Sequence, residues 1–250
     1  MSNSVSLRDS FHQYFAVIPA DTEELLHETF KIRYQVYCEE LGYEDKSGFR
    51  DQREFDEFDP VSQHCLLLHK TSTIYAGSIR LVSAARNRLP FESLYGAGAF
   101  RSEIVDLRQL DPLSYAEISR IAVISHFRRR KDERNTPAGI IPDPELHQTE
   151  RRSFPLIAFG LYLSAAAMGL NNGLERVFAM MEPRLARRLR IYGINFQQIG
   201  PITEHRGKRA PFQITRDGLS QGITTDISGL LSDISLALAT KPNALLRKLA

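Results

Sequence analysis

Apolar residues along the chain recur at two spacings, and the shorter spacing marks a series of β-strands. Runs that alternate with polar residues, or that are continuously apolar over a few positions, are typical of strands. Two of these runs are joined by a short polar turn, which predicts a β-hairpin. The predicted strands are Tyr14–Ile18, His64–His69, Ile74–Ser83, Tyr115–Ile124, Leu174–Met181, Ile194–Ile199 and Phe212–Thr215.

Other segments place apolar residues at helical spacing. The first predicted helix starts at Asp21 and Glu24, which resemble a capping box, and ends before Gly42. A later one has proline at its first position and glycine after its end, as helices prefer. The helices predicted after residue 150 are Phe154–Asn172, Pro183–Tyr192, Asp226–Leu238 and Asn243–Leu249.

The order of these elements predicts an α/β (α+β) fold with a mixed central sheet flanked by helices. Long polar loops cover Tyr43–Pro60 and Arg128–Ser153. We expect one domain over residues 1–225 and a C-terminal helical extension over 226–250. That extension can dock on the domain, on a partner or on a membrane surface, and the sequence leaves these three open.

The chain shows no sign of export or of membrane insertion. Its N-terminus has no apolar stretch typical of a signal peptide, and the apolar part of Phe154–Asn172 is too short for a bilayer. Cys38 and Cys65 are too few for a secreted disulfide framework and indicate a reducing compartment. We therefore predict a cytoplasmic protein without a transmembrane segment.

Charge is nearly balanced, at +2, but it is unevenly distributed. Of the 32 basic residues 25 are arginine, the residue suited to fixed contacts with carboxylates and phosphates. Codon bias explains many of them. The small net charge, and the lack of a basic stripe interleaved with aromatic residues, argue against nucleic-acid binding.

Charged residues interrupt strands that should be apolar. Glu117 and Arg120 lie in Y-A-E-I-S-R-I-A-V-I, and Arg80 lies in I-Y-A-G-S-I-R-L-V-S. A buried, unpaired charge costs several kcal/mol, so these residues are expected to pair with one another or with a ligand. Strand alternation puts Glu117 and Arg120 on opposite faces unless a β-bulge lies between them.

Two further pairs complete this set of residues. Arg33 and Tyr37 are four residues apart on the first helix and share a face. Asp56 and Asp59 form a compact acidic D-x-x-D. Each pair taken singly is explained by ion pairs that join a helix to the sheet, and that alternative stays open.

In their order and spacing these residues resemble the acyl-homoserine-lactone autoinducer synthases. The longer stretches of sequence around these residues are similar to a sister group, the N-acyl amino acid synthases associated with the PEP-CTERM/exosortase system. The stretches that carry this likeness are FKIRYQVYCEELGYE, EFDEFDPVSQHCLLLHK, AGSIRLV, RLPFE and AEISRIAVISHFRRR. The resemblance covers about Tyr14 to Gly200, and it implies the GNAT acyl-CoA N-acyltransferase fold.

The chain departs from the related groups at two places. The autoinducer synthases usually carry Phe and Trp where this chain has Tyr37 and Tyr43, which argues against S-adenosylmethionine as the acceptor. The glycine-containing pyrophosphate loop of common GNAT enzymes is also missing after Ile124.

The resemblance and the chemistry of acyl transfer together assign roles. An attacking amine must lose a proton, and Glu117 is the candidate base, acting directly or through a water. Backbone amides at a bulge in Tyr115–Ile124 would stabilise the oxyanion. An apolar tunnel for the acyl chain would lie beside Phe154–Gly169 and Leu174–Met181, with Met180 and Met181 in its lining. The predicted catalytic residues are Glu117, Arg120 and Arg33, and the predicted substrate-binding residues are Arg80, Asp56, Asp59, Tyr37 and Tyr43.

Two basic groups are candidates for contact with the acyl donor. Arg128, Arg129 and Arg130 follow the strand after which a pantetheine phosphate would lie in a GNAT fold. Arg184, Arg187 and Arg188 line one face of a helix, where they suit an acidic acyl carrier protein or form an ordinary solvated face. The histidines and cysteines lack the spacing of metal ligands, so no metal site is predicted.

We therefore expect an enzyme that moves a long acyl chain from acyl carrier protein, or from acyl-CoA, to the α-amine of an amino acid. The donor is a co-substrate, and no bound cofactor is expected. An acyl-homoserine-lactone synthase using S-adenosylmethionine is the alternative among enzymes. A non-catalytic module that binds acyl carrier protein or an acyl ligand is the alternative from another class.

Overall fold

The chain is built on an eight-stranded mixed sheet in a computed structural model that describes residues 6–85, 88–96, 100–128, 136–138 and 156–239. The strands follow the order β1-β2-β3-β4-β5-β8-β6, and β7 pairs with β8. Their bounds are β1 Phe15–Pro19, β2 Ser62–His69, β3 Ile74–Ser83, β4 Tyr115–Val123, β5 Arg176–Met181, β6 Gln197–Gln198, β7 Thr203–Glu204 and β8 Lys208–Thr215.

The sheet is antiparallel except where β4 meets β5. These two strands are parallel and pair from Tyr115↔Arg176 to Ile118↔Ala179. Beyond that point β4 continues to Val123 without a β5 partner, so the sheet opens there. Such an opening leaves strand backbone accessible in the middle of a sheet.

A β-bulge lies in the opened part of β4. Ser78 of β3 pairs with Ala122, and Arg80 pairs with Ser119, so Arg120 and Ile121 together face one residue of β3. Arg120 has φ +50°, a left-handed conformation that is uncommon for residues other than glycine. A β-bulge, which the sequence analysis gave as one of two alternatives for this strand, is therefore present.

Seven α-helices surround the sheet in the described part of the chain. Helix α2 continues directly into a π-helical turn at Tyr34–Glu40. The helices are α1 Leu7–Tyr14, α2 Glu23–Arg33, α3 Pro90–Tyr95, α4 Leu156–Asn171, α5 Pro183–Ile191, α6 Arg216–Gly222 and α7 Thr225–Ala239.

Helix α4 forms the centre of the main core. It is buried along almost its whole length, which explains why the sequence places no charge on any side of it. It packs against β2, β3 and β4 and against α7. In the described residues no helix has the length and apolar character needed to cross a membrane.

The two faces of the sheet carry separate apolar clusters. Ala116 and Ile118 of β4 belong to the main core with α4, whereas Tyr115 packs with Phe91 and Phe178 in a smaller cluster. Alternation along β4 therefore puts Glu117 on the side of the smaller cluster.

Strands β1 to β5 and the long helices agree with the sequence prediction, and β8 starts earlier than predicted. Of the predicted strand Ile194–Ile199 only Gln197–Gln198 is a strand, and β7 and three short helices, α1, α3 and α6, were not predicted. The predicted start of α2 was wrong, because the N-cap is Thr22, whose hydroxyl accepts from the Leu25 amide. The predicted helix Asn243–Leu249, and most of the predicted loop Arg128–Ser153, lie outside the described residues.

Candidate active site

An ion network lies beside the opened part of β4 and joins α2, the loop after it, β3, β4 and the β7–β8 turn. Four arginines alternate with four carboxylates, so the formal charges cancel. The members of this network are Arg33, Arg80, Arg120 and Arg206 with Glu44, Glu54, Asp56 and Asp59.

Arg33 lies at the bottom of the network, with none of its surface exposed. Its Nε donates to Glu54 Oε2 at 2.5 Å, and its Nη1 and Nη2 donate to the two oxygens of Asp59 at 2.6 and 3.1 Å. All three guanidinium nitrogens are therefore engaged, and Arg33 has no surface to offer a substrate.

Arg80 is also fully buried, and it connects the acidic loop to the sheet. Its Nη1 donates to Asp56 Oδ1 at 2.5 Å and to Asp59 Oδ1 at 2.7 Å. Its Nε donates to the Ser119 hydroxyl of β4 at 3.0 Å. The predicted D-x-x-D and the strand arginine thus meet.

Arg120 reaches the same network from the bulge. Its Nε lies 3.1 Å from Glu54 Oε1, and its Nη2 lies 3.1 Å from Asp56 and 3.3 Å from Glu44. The guanidinium also lies over the Tyr37 ring, 5.6 Å from its centroid. These contacts hold Arg120 in its left-handed backbone conformation.

The two aspartates stay ionised in this setting. Burial by itself would raise the pKa of Asp59, but Arg33 and Arg80 hold that pKa well below its usual range. Burial opposes ionisation of Asp56 as well, and Arg80 and Arg120 keep its pKa lowered. The Asp56 amide donates to Asp59 Oδ2 at 2.7 Å, which fixes the loop between them.

Glu117 lies apart from the network and is 2% exposed. Its Oε2 accepts one hydrogen bond, from the Phe91 amide at 2.9 Å in the first turn of α3. Burial raises its pKa to about 8, although the Phe91 amide and the charges of Arg80 and Arg120 oppose that rise. Glu117 is therefore a carboxyl that can exchange a proton close to neutral pH.

The two tyrosines occupy neighbouring positions. The Tyr37 hydroxyl donates to the Ile121 carbonyl of the bulge at 2.7 Å, and the Tyr37 and Tyr43 ring centroids are 6.3 Å apart. Arg206 lies over the Tyr43 ring at 5.6 Å and pairs with Glu44 at 2.7 Å. Tyr37 therefore supports the bulge that the sequence predicted as the source of oxyanion donors.

Arg128 has a structural role instead of the phosphate-binding role predicted for it. It is 3% exposed, and its guanidinium donates to the carbonyls of Val123 and Thr136 at 2.6 and 2.8 Å and to the Glu40 carboxylate. A side chain held in this way cannot turn to a phosphate. Arg129 and Arg130 lie outside the described residues.

The other basic group remains on the surface. Arg184, Arg187 and Arg188 are exposed on α5, and Arg184 pairs with Glu182 at 2.5 Å. None of these side chains contacts the ion network.

An apolar cleft lies between α4 and the start of β5. Its lining includes Ile118, Tyr162, Ala166, Val177, Ile214 and Leu219. The predicted acyl-chain elements flank this cleft. Met180 and Met181 do not line it, because Met180 packs with the smaller cluster and Met181 belongs to the main core.

Several residues of the site were not predicted. Glu54 is one of them. It lies two residues before Asp56 in a charged loop, and nothing in the local sequence indicates that its side chain is buried. His64 is another: both ring nitrogens are buried without a hydrogen bond, and burial beside Arg33 lowers its pKa to about 3. Across the described ranges, no group of three or more histidine, cysteine or acidic residues could hold a metal ion.

The order of the strands, the opening after Ile118 and the bulge at Arg120 define a GNAT-type acyltransferase fold. Residues 32–134 match the family model described as an acetyltransferase (GNAT) domain. This match confirms the predictions of a GNAT fold and of an acyltransferase.

Solved structures share this fold at low sequence identity. TofI, in a ternary complex with an inhibitor and MTA, has a TM-score of 0.58 and 16% identity, over 93% of this chain and 99% of its own. BjaI, a CoA-dependent acyl-homoserine lactone synthase with MTA, has a TM-score of 0.55 and 20% identity, over 95% and 99%. FeeM, an N-acyl amino acid synthase from uncultured soil microbes, has a TM-score of 0.50 and 14% identity, over 84% and 94%. No curated protein sequence matches this chain.

Proposed function

We propose that this protein transfers an acyl chain from a thioester donor to the α-amine of an amino acid, giving an N-acyl amino acid. The observation that carries this proposal is Glu117, a buried carboxyl with a pKa of about 8 on the strand that opens away from β5. Acyl transfer to an amine needs a base that is poised near neutral pH. FeeM, which shares the fold, is named as an N-acyl amino acid synthase.

The reaction follows from this geometry. Ionised Glu117 takes a proton from the acceptor's ammonium group, directly or through a water, and frees the nitrogen lone pair. The nitrogen attacks the thioester carbonyl, the C–N bond forms, and backbone amides at the bulge stabilise the oxyanion. Glu117 releases the first proton to solvent. The C–S bond then breaks and the thiolate leaves, and the second amine proton passes through Glu117 or water to the thiolate.

The buried residues of the ion network support this chemistry indirectly, without contact with the substrate. The donors of Arg33 and Arg80 are engaged, so we assign both residues to positioning. Asp56 and Asp59 hold the arginines instead of the acceptor's ammonium group. Arg120 stabilises the bulge and, by its charge, favours the ionised form of Glu117.

Acyl carrier protein is the proposed donor. The Glu40 carboxylate accepts from the Ser125 amide at 3.0 Å, directly after β4, where the resemblance puts the donor's phosphate. Glu40 therefore occupies the Ser125 amide, a backbone donor that a coenzyme A diphosphate would otherwise use, and its own charge is compensated by Arg128. The exposed arginines of α5 suit an acidic protein. The acyl chain would occupy the cleft between α4 and β5.

Synthesis of an acyl-homoserine lactone is the second candidate. It is supported by the fold shared with BjaI, which was solved with S-adenosylmethionine and isopentyl-CoA. Tyr37 and Tyr43, in place of the Phe and Trp expected for that activity, favour the amino-acid acceptor. The PEP-CTERM/exosortase association and the cytoplasmic location stay predictions.

Thiol release with defined substrates tests the proposal. The purified protein is incubated with acyl carrier proteins and acyl-CoAs of several chain lengths, each with single amino acids or with S-adenosylmethionine. Mass spectrometry identifies the products. We expect N-acyl amino acids, and faster release from the carrier protein than from coenzyme A. Lactone formation with S-adenosylmethionine alone would support the second candidate, and no thiol release from any donor would overturn both.

A further inference from the structure

Arg209 differs from every arginine of the ion network. Arg33, Arg80, Arg120 and Arg206 each contact at least one carboxylate. The side chain of Arg209, three residues after Arg206, makes no ion pair or hydrogen bond with any of the described residues. Its Nε is buried and has no partner there.

The position of Arg209 relates it to the opened sheet. It is the second residue of β8 and pairs with Thr203 of β7, and the next residue, Ala210, pairs with Met181 at the end of β5. The side chain is partly buried. Arg209 therefore lies at the end of β5, on the side of the opening opposite β4.

Two hydroxyl groups show where its charge acts. Burial raises the pKa of Tyr37 and of Tyr162, and the charge of Arg209 opposes this rise at both. The Tyr37 hydroxyl donates to Ile121 in the bulge, and Tyr162 lines the acyl cleft. The charge of Arg209 thus acts on one hydroxyl group that supports the bulge and on another that lines the acyl cleft.

A charged guanidinium with a buried, unsatisfied donor calls for a partner that the chain does not supply. Buried polar groups are almost always hydrogen-bonded, and an exception at a site indicates a ligand, a water or an ion. The formal charges of the network cancel, so Arg209 is the uncompensated cation of this site in the described chain. A planar guanidinium is matched by a carboxylate or a phosphate.

We propose that Arg209 binds the α-carboxylate of the amino-acid acceptor and so selects amino acids over simple amines. This inference rests on the proposed function. A carboxylate fits better than the donor's phosphate, because the α-carboxylate is one carbon away from the reacting amine. The phosphate of a pantetheine is separated from the thioester by the whole length of its arm.

The test compares a charged acceptor with its neutral analogue. Wild-type protein, Arg209→Gln and Arg209→Lys are assayed with the preferred amino acid and with its amide, at a fixed concentration of the same donor. For the free acid, Arg209→Gln should raise KM roughly 10- to 100-fold, the effect of losing a charge-assisted hydrogen bond. The KM for the amide should change little, and Arg209→Lys should recover part of the loss.

Arg108→Gln is the matched control, because Arg108 is an arginine with an 83% exposed side chain, paired only with Asp106. Circular dichroism of each variant verifies folding. If Arg209→Gln does not fold, the comparison is made with Arg209→Lys.

An unchanged preference for acid over amide in folded Arg209 variants would overturn this inference and leave the proposed function intact. In a second series the donor concentration is varied at a saturating concentration of the amino acid, and a higher KM for the donor, with the acceptor KM unaffected, would overturn the inference in favour of phosphate binding. Absence of amino-acid acylation by the wild-type protein would overturn the proposed function and this inference with it.

Discussion

Among the described residues, no carboxylate or arginine forms a hydrogen bond or ion pair with Glu117, and burial is the largest influence on its ionisation. Its single hydrogen bond comes from the Phe91 amide, and Arg80 and Arg120 act on it only through their charges. A carboxyl in this setting holds its proton to a higher pH than one at the surface. Its function and its effect on stability are both testable by one isosteric substitution.

Glu117→Gln should retain the fold and lose about 10²- to 10⁴-fold in kcat, the usual contribution of a general base. The amide side chain still accepts from the Phe91 amide, so the packing around it is preserved. Thiol release as a function of pH provides the measurement. The wild-type kcat/KM should rise as Glu117 ionises, and the variant should lack that rise. A variant with near-normal turnover would show that another group removes the proton.

The same residue should make stability depend on pH. Its pKa rises from 4.5 in the unfolded chain to about 8 in the folded protein. Between these values the folded state keeps a proton that the unfolded state has lost, so the free energy of unfolding decreases as pH rises. Above pH 8 both states are ionised and this dependence ends. Urea unfolding from about pH 5 to about pH 9 should show a smaller decrease for Glu117→Gln than for the wild type. Parallel curves for the two proteins would contradict the raised pKa.

At the scale of residues, some members of the candidate site could be predicted from the sequence and others could not. Glu117, Arg80 and Arg120 stand out because a charge in an apolar strand needs a partner. Glu44, Glu54 and Arg206 lie in polar loops, where charged residues are common and burial leaves no local sign. The pair Arg206–Glu44 joins residues 162 positions apart, so only the folded chain brings them together.

At the scale of elements, the loop between α2 and β2 is held by charge more than by apolar packing. Asp59 accepts from the buried guanidinium groups of Arg33 and Arg80 and from the Asp56 amide. Loss of this one carboxylate leaves two buried cations undercompensated. The loop, helix α2 and strand β3 therefore depend on a single side chain.

Asp59→Asn should destabilise the protein by about 3–5 kcal/mol, the cost of removing one partner from a buried ion pair. The free energy of unfolding from urea titration near neutral pH gives the value. Asp51→Asn is the control, since Asp51 pairs with Arg53 at the surface and its loss should change stability little. Similar stability for the two variants would show that the network contributes nothing to folding.

A close approach between two helices provides a second test. A methyl group on Gly160 of α4 would overlap the Phe11 ring of α1 and crowd Leu67 of β2. Gly160→Ala should therefore cost about 1–3 kcal/mol through overpacking, despite the higher helix propensity of alanine. Gly48→Ala, where an added methyl meets nothing within 4 Å, should not destabilise the protein. Thermal unfolding of both variants distinguishes packing from propensity.

Long elements were predictable and short ones were not. Strands β1 to β5 and helix α4 each carry many apolar residues in a consistent pattern, which survives errors at individual positions. Strands β6 and β7 have only two residues each. Helices α1, α3 and α6 have at most eight residues, too few for such a pattern. The bulge depends on pairing with β3, so the sequence could only present it as one of two options.

At the scale of the molecule, positive charge is concentrated on α5 although the net charge is only +2. The arginines of this helix are exposed to solvent. An acidic partner would be attracted to this face, and the attraction would weaken as salt rises.

Arg187→Glu combined with Arg188→Glu should raise KM for an acyl carrier protein donor at least about 10-fold, since each reversed charge repels an acidic surface. KM for acyl-pantetheine, which has no protein surface, should stay unchanged. Arg108→Glu provides a charge reversal outside α5 for comparison. Equal effects on the two donors would exclude α5 as the docking face.

Helix α7 makes the first strand dependent on a late part of the chain. It packs against β1, α1 and α4, and Asp233 pairs with Arg8 and His12 at 2.7 Å. During synthesis from the N-terminus, β1 and α1 emerge more than 200 residues before the helix that covers them. Their apolar surface and edge strand therefore stay exposed until more than 200 further residues, α7 included, have been synthesised. Nascent chains of this protein can therefore aggregate or bind chaperones over a long part of their synthesis. This period ends when α7 docks on β1 and α1.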